Sequence, residues 1–251
     1  MFDLTGKVAL ITGSTKGIGK SIAEEMAKAG AKVVISSRKA EACEQVTQEL
    51  TSKGYAAISL PCNIAHKEQL RQLVDSTLKH WGKIDILVCN AAANPVYGPT
   101  AQAGDEAFDK IMGNNIKSNW WLCNMAIPQM AERKDGVVII VSSIAALKGN
   151  TVIGLYGVSK AADTALVRNY ACEWGPSNIR VNAILPGLIK TDFARALWEN
   201  EKARKAREAM TPLRRLGEAE EIGGIAVFLA SRAGNFITGQ TIVADGGVTI
   251  A

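Results

Sequence analysis

The chain predicts an α/β fold, a single Rossmann-type doubly wound parallel sheet with helices on both faces. Two observations carry this. Strand-like and helix-like patterns alternate from end to end of the 251 residues. Such alternation places helices on both sides of a parallel sheet. The strand-like runs are also continuously apolar and rich in branched residues, as in Lys7-Val8-Ala9-Leu10-Ile11 and Val137-Val138-Ile139-Ile140-Val141. That suits strands buried on both faces. An apolar content of 47% is enough for one large core.

The first strand is expected over 7–12 and runs into Thr12-Gly13-Ser14-Thr15-Lys16-Gly17-Ile18-Gly19. A helix over 17–29 follows, because Ile18, Ile22, Ala23, Met26 and Ala27 share one face and Gly30 ends it. Strands are then expected over 32–37, 55–60, 85–89, 137–142, 179–184 and 241–244. Helices are expected over 40–53, 66–81, 105–132, 154–174 and 218–231. No linker, internal repeat or low-complexity segment interrupts the series, so residues 1–251 read as one domain. The rhythm breaks only between 184 and 218, where Phe193, Leu197 and Trp198 precede a charged run from Glu199 to Glu208. That spacing predicts an amphipathic helix over a cleft mouth, within a segment of about 188–215.

Strand, glycine-rich turn and helix form the context that a dinucleotide-binding turn requires. Gly13 permits the tight turn, while Gly17 and Gly19 allow close backbone approach. The N–H groups and dipole of the following helix favour a bound pyrophosphate. Tyr156 and Lys160 stand at i and i+4 of a predicted helix, hence on one face. A lysine ammonium there favours the phenolate and should lower the pKa of Tyr156 toward the working pH. Ser143 follows a buried strand, at the end where open α/β sheets bind ligands.

Together these motifs resemble the short-chain dehydrogenase/reductase family over essentially the whole chain. Thr12-Gly13 through Gly17-Ile18-Gly19 matches its cofactor loop, and Ser143, Tyr156 and Lys160 match its catalytic residues in order and spacing. Asn115, in Gly113-Asn114-Asn115-Ile116, matches the asparagine that supports a proton relay through water and the lysine. Pro186-Gly187-Leu188-Ile189-Lys190-Thr191 matches the segment that receives the nicotinamide end, with Ile189 and Thr191 orienting the carboxamide. Phe236 to Gln240 and Val243 to Gly247 match the C-terminal signature. The resemblance implies strand order 3-2-1-4-5-6-7, a mobile lid over substrate and a dimer interface on the helices around Trp120 and Tyr156. Within the family, Ser36-Ser37-Arg38-Lys39, Asn94-Pro95 and Gly187 to Thr191 look most like tetrameric NADP-dependent carbonyl reductases.

Two positions depart from the family pattern. Asn63, followed by Ile64, stands where an aspartate often contacts the adenine amine, and its amide oxygen can still accept that bond. The fourth strand ends Cys89-Asn90-Ala91-Ala92 rather than Asn-Asn-Ala-Gly, with Asn90, Ala91 and Ala92 expected on the adenosine side. The second strand ends at Ser36-Ser37 without the carboxylate that an NAD site places on the ribose hydroxyls. Lys16 and Arg38 could instead pair with a 2′-phosphate, which favours NADP over NAD.

Other classes find little support. The net charge of +5 is mild, and no basic run with interleaved aromatics suggests nucleic acid. Cysteines 43, 62, 89, 123 and 172 form no Cys-x-x-Cys pair and read as small buried hydrophobes in a reducing compartment. His66 and His80 read as surface residues, and no group has metal-ligand spacing. No apolar stretch reaches the ~18–20 residues that span a bilayer, and no signal peptide is evident. The expected location is the cytoplasm. Of the adjacent Trp120 and Trp121, one is expected in the core and the other at an interface or pocket wall.

The reading is therefore reversible hydride transfer between NADP(H) and a carbonyl/alcohol pair by a homotetramer. Asn115, Ser143, Tyr156 and Lys160 form the expected catalytic set. Substrate is expected against Ser143, Ala145, Tyr156, Phe193, Leu197 and Trp198, in a mostly apolar pocket. Arg195 could face an acidic substrate or solvent. An NAD-dependent alcohol dehydrogenase and a 3-oxoacyl thioester reductase remain alternatives, with a non-enzymatic nucleotide sensor more remote.

Overall fold

A computed structural model describes residues 1–251. Its seven strands are β1 (Val8–Thr12), β2 (Lys32–Ser36), β3 (Ala57–Ser59), β4 (Ile86–Cys89), β5 (Gly136–Val141), β6 (Ile179–Pro186) and β7 (Thr241–Ala244). All pair in parallel, in the order β3-β2-β1-β4-β5-β6-β7. The order reverses between β1 and β4, and a crevice opens there at the C-terminal ends of the strands.

Side chains of successive strand residues point to opposite faces, and each face has its own core. Ala9, Ile11, Val33, Ile35, Val88 and Ile139 pack with α1 (Gly17–Lys28), α2 (Ala40–Thr51) and α9 (Ala219–Ala230). Leu10, Val34, Leu87, Cys89, Val138 and Ile140 pack with α3 (Lys67–Trp81), α5 (Ser118–Arg133) and α6 (Gly154–Trp174). The two clusters hold 25 and 23 buried residues, so both faces are covered about equally. This explains why the strands read as unbroken apolar runs. No helix is long and apolar enough to cross a membrane.

Three expectations change. The helix expected over 105–132 is divided: α4 (Asp105–Met112) passes through a π-helical segment, Gly113–Lys117, into α5. Asn115 lies in that segment. The single amphipathic helix expected over the cleft is two short ones, α7 (Arg195–Trp198) and α8 (Glu201–Met210). Asn200 separates them by capping α8, its side-chain oxygen accepting from Ala203 N at 3.0 Å. Cys172 is exposed, whereas the other four cysteines are buried.

The crevice is held by side chains rather than by the ladder alone. Thr12 Oγ1 accepts from Asn90 N and Ala91 N at 3.1 and 3.2 Å. Asn90 Nδ2 donates back to the carbonyls of Thr12 and Gly13 at 2.9 and 3.2 Å. These bonds fix the glycine turn against the end of β4. Replacing Thr12 by Val keeps the shape but leaves two N–H groups without their acceptor. We expect a loss of about 1–3 kcal/mol in urea unfolding; unchanged stability would show that water replaces the hydroxyl.

Candidate active site

The glycine turn forms because only glycine fits it. Gly13 and Gly17 have φ of +67° and +54°, a region most side chains avoid. A Cβ on Gly19 would sit 2.3 Å from both Gly13 O and Asn90 Nδ2, so α1 packs directly on the turn. No side chain caps the N-terminus of α1, and no acid lies in its first turn. Its N–H groups and dipole are therefore available to an anion. Lys16 and Arg38 stand exposed beside the turn and after β2. These features fit a dinucleotide phosphate.

Not every residue expected to touch the cofactor offers its side chain. Ser14 is fully buried, its hydroxyl donating to Ile11 O at 2.8 Å and accepting from Ser36 N at 2.8 Å. It fastens β1 to β2. Ser37 is turned toward Cys43, with Oγ 3.3 Å from the sulfur. The Asn63 amide oxygen already accepts from Ala65 N at 3.2 Å, leaving one lone pair for an adenine amine. Thr15, Ile18, Ile64, Ala91 and Ala92 are half-buried along the crevice side of these segments.

Across the crevice, β6 ends at Pro186. A Cβ on Gly187 would lie 2.7 Å from Asp245 Cα, so the chain there must pass close to the C-terminal segment. Ile189 is buried, bridged to Gly217. Thr191 reaches the glycine turn: its Cγ2 would be 3.1 Å from a Cβ on Gly17. The indole N–H of Trp198 donates to Thr191 O at 2.9 Å and ties the start of the lid to this loop.

Ser143, Tyr156 and Lys160 are brought together at the end of β5. The close approach is set by Gly157, where a Cβ would lie 2.8 Å from Ala145 O. Sequence reading passed over that glycine. Ser143 Oγ accepts from Ala145 N at 3.1 Å and faces the Tyr156 phenol. The Phe193 ring lies 6.3 Å from the Tyr156 ring and half-covers the cleft. Lys160 is 2% exposed, and its Nζ sits 5.8 Å from the Tyr156 ring centroid.

The electrostatics differ from the expectation. Lys160 does pull the Tyr156 pKa down, but burial outweighs it and Asp163 adds to the rise, so the phenol is held above its ordinary value. Asp163 is also a neighbour that sequence reading missed. Lys160 Nζ donates to Asp163 Oδ2 at 2.8 Å and to Val141 O at 2.9 Å. Burial opposes the lysine charge, yet Asp163 and Tyr156 overcome it and keep Lys160 raised. The only hint in sequence was a carboxylate three residues past the lysine on a helix otherwise apolar at that face.

Asn115 is buried and well engaged. Its Oδ1 accepts from Ala93 N at 2.8 Å, while Nδ2 donates to Ala93 O and Ser159 Oγ, each at 3.0 Å. Its carbonyl accepts from Asn119 Nδ2 at 2.7 Å. The side chain thus positions the loop after β4, and each of the two oxygens keeps one lone pair. Leu197, Trp198 and Ala145 are half-buried. Arg195 pairs with Asp192 at 2.8 Å on the surface. A cavity of about 660 Å³ lies next to this cleft, between the 187–189 loop, α8 and the C-terminal segment. It touches none of the three clustered residues. Of the tryptophan pair, Trp121 is half-buried and packs against the core, with Lys117 Nζ 5.0 Å from its ring, while Trp120 is exposed.

With this geometry in view, known proteins were compared. A family model described as enoyl-(acyl carrier protein) reductase matches residues 13–249. Dehydrogenase/reductase SDR family member 4 of Bos taurus is 41% identical over 244 residues, covering 97% of this chain and 88% of its own. The chain belongs to the short-chain dehydrogenase/reductase family. Among solved structures, a gluconate 5-dehydrogenase of Burkholderia cenocepacia in complex with NADP and tartrate superposes with a TM-score of 0.95 at 32% identity, covering 100% of this chain and 98% of that one. A 7α-hydroxysteroid dehydrogenase complexed with NADH and 7-oxo glycochenodeoxycholic acid superposes at 0.94 and 36% identity, covering 98% and 95%. This chain is accordingly an NAD(P)-dependent oxidoreductase acting on CH–OH groups.

The Gly157 contact yields a test. In Gly157→Ala the new methyl meets Ala145 O, so α6 must move away from the Ser143 segment. We expect turnover to fall at least about tenfold, since small misplacements of reacting groups are costly, with thermal stability lowered by a few degrees. Full activity would mean that the approach of α6 is not what sets the Ser143–Tyr156 geometry.

Proposed function

We propose that this enzyme is a carbonyl reductase, interconverting a ketone or aldehyde and its alcohol with NADP(H). The observation that carries the reading is half-buried Ser143 beside buried Tyr156 and Lys160, next to an uncapped, glycine-led helix N-terminus. When bound, the nucleotide supplies or accepts the hydride. The protein's own groups do the rest. The hydroxyl of Ser143 donates to the substrate oxygen and holds it toward Tyr156. Tyr156 gives the proton of its phenol to that oxygen in reduction and takes it back in oxidation. The raised pKa of Tyr156 keeps that proton in place at neutral pH, which suits the reductive direction. Lys160 has three N–H donors, of which two are engaged. The third is left for the nicotinamide ribose. Asn115 supports the site by fixing Ala93 and Ser159.

Preference for NADP rests on Lys16 and Arg38, exposed near the expected ribose position, and on the lack of an acid at Ser37. The two solved relatives divide, one carrying NADP and one NADH. The side chains of this sequence support the 2′-phosphate. Residues 188–215 act as a lid on a single domain of 1–251, closing Phe193, Leu197 and Trp198 over an apolar substrate. Arg195 is engaged by Asp192, which argues against recognition of a substrate carboxylate. Exposed Phe108, Trp120 and Val158 lie on α4, α5 and α6 and suit the faces of a homotetramer.

Two variants test the reading. Tyr156→Phe should bind NADPH as before but lose turnover by about 100-fold or more; retained turnover would remove Tyr156 as the proton donor. Lys16→Ala/Arg38→Ala should lower the ratio of kcat/KM for NADPH over NADH by about tenfold or more, the loss of charge-assisted bonds to a phosphate. An unchanged ratio would place discrimination elsewhere.

A further inference from the structure

The cavity of about 660 Å³ beside the cleft has the size of a small-molecule site. Ile144, next in the chain to Ser143, forms one wall, and Leu188, Ile222, Ile225 and Val243 form others. The helix beside it lacks a packing partner. Ala203, Ala206 and Met210 fall on one face of α8, the side that a surface helix normally buries. Yet no residue of α8 is buried. Met210 and Leu213 line the cavity and remain exposed. The frame around this space is nevertheless fixed. Leu213 N donates to Gly246 O at 3.2 Å, and Gly217 N to Leu188 O at 3.1 Å. A Cβ on Gly246 or Gly247 would lie 2.7 Å from the side chain of Thr211 or Pro212, so the C-terminal segment packs tightly on the end of the lid.

Four charged residues line the cavity, and three of them are engaged. Arg215 donates to both carboxyl oxygens of Glu221, at 2.7 and 2.6 Å. Asp245 accepts from Gly247 N and Thr249 N at 2.8 and 2.7 Å. Arg207, exposed on α8, makes no ion pair, while its neighbours Arg204 and Lys205 pair with Glu208 and Glu201. The lid as a whole is basic. Residues 188–215 hold eight Lys or Arg against four Asp or Glu, which accounts for four of the chain's net charge of +5. We propose that this cavity takes the apolar body of the substrate and that Arg207 binds an anionic group at its far end, so that the enzyme prefers carbonyl compounds that are anionic amphiphiles. This deepens the carbonyl-reductase reading and rests on it. The carbonyl lies at Ser143 and Tyr156, the apolar chain runs past Ile144 along α8, and the anion meets Arg207 at the mouth. Arg195 takes no part, since Asp192 holds it. A planar guanidinium suits carboxylate, sulfate or phosphate through paired N–H donors. The chain gives α8 the apolar partner it lacks, so binding also draws the lid closed.

The test compares a long-chain methyl ketone carrying a terminal carboxylate with its methyl ester, as kcat/KM in wild type, Arg207→Ala and Arg207→Lys. Wild type should prefer the acid by about tenfold or more, the effect of one charge-assisted bond. Arg207→Ala should bring the ratio close to one, the loss lying in KM for the acid, and Arg207→Lys should restore part of it. Equal use of acid and ester by wild type overturns the substrate class. A preference that survives Arg207→Ala overturns the assignment to Arg207. A second measurement needs no turnover. Dodecanoate, which has no ketone, should bind the nucleotide-saturated wild type in isothermal titration calorimetry. It should bind Arg207→Ala and the cavity-filling Ile225→Trp at least about tenfold more weakly, each variant being checked first for folding by circular dichroism and for nucleotide binding. No binding to wild type, or binding that neither change weakens, overturns the proposal. Should wild type reduce no carbonyl at all, the reductase reading has failed, and the titration still decides whether the cavity takes an anionic amphiphile.

Discussion

A buried ammonium is the constraint on which this site depends. Lys160 is removed from water at the point where β5, α5 and α6 meet, and a lone charge there would be costly. Asp163 and Val141 O make it tolerable. Removing one partner of such a buried pair typically costs about 3–5 kcal/mol, so the pair links catalysis to folding. It also explains why the flanking polar residues are so fully engaged. Asn119, Asn115 and Ser159 each bond inward, leaving the one open face of Lys160 to the cleft.

The second constraint is backbone proximity. Gly19 against Gly13, Gly157 against Ala145 and Gly187 against Asp245 each allow contacts that any side chain would block. The first lets α1 meet the turn, the second brings Tyr156 to Ser143, and the third carries the loop after β6 past the C-terminal segment. The parallel sheet supplies a rigid base for all three, with its two cores packing the helices from opposite sides. Chemistry is then concentrated where the strand order reverses, between β1 and β4, and along the adjoining end of β5.

Much of this was legible in the sequence. The apolar runs announced β1, β4 and β5 most clearly, because a strand buried throughout tolerates few polar residues, whereas β3 and β7 are only half-buried. The glycine turn and the Tyr156/Lys160 spacing announced the site, because both are local in sequence. What was hidden depends on contacts between distant segments. The Ser14 hydroxyl, within the cofactor loop, bonds to Ser36 N on β2. The Asn115 side chain bonds to Ala93 and Ser159. The π-helical segment left no mark, since one extra residue in a turn preserves the helical composition. Asp163 drew no reading until the fold placed it beside Lys160. Burial above all, with Asp163 adding to it, holds Tyr156 raised rather than lowered.

The central claim is that a neutral, buried tyrosine delivers protons to a carbonyl oxygen while NADPH is consumed. The most direct test is the oxidation of NADPH and NADH by the purified protein at neutral pH, followed by absorbance. The panel should span ketones, aldehydes, diketones and 3-oxoacyl esters. The account predicts turnover with at least one apolar carbonyl, faster with NADPH than with NADH. Turnover with neither nucleotide across the panel, while the corresponding alcohols are oxidised, would contradict it.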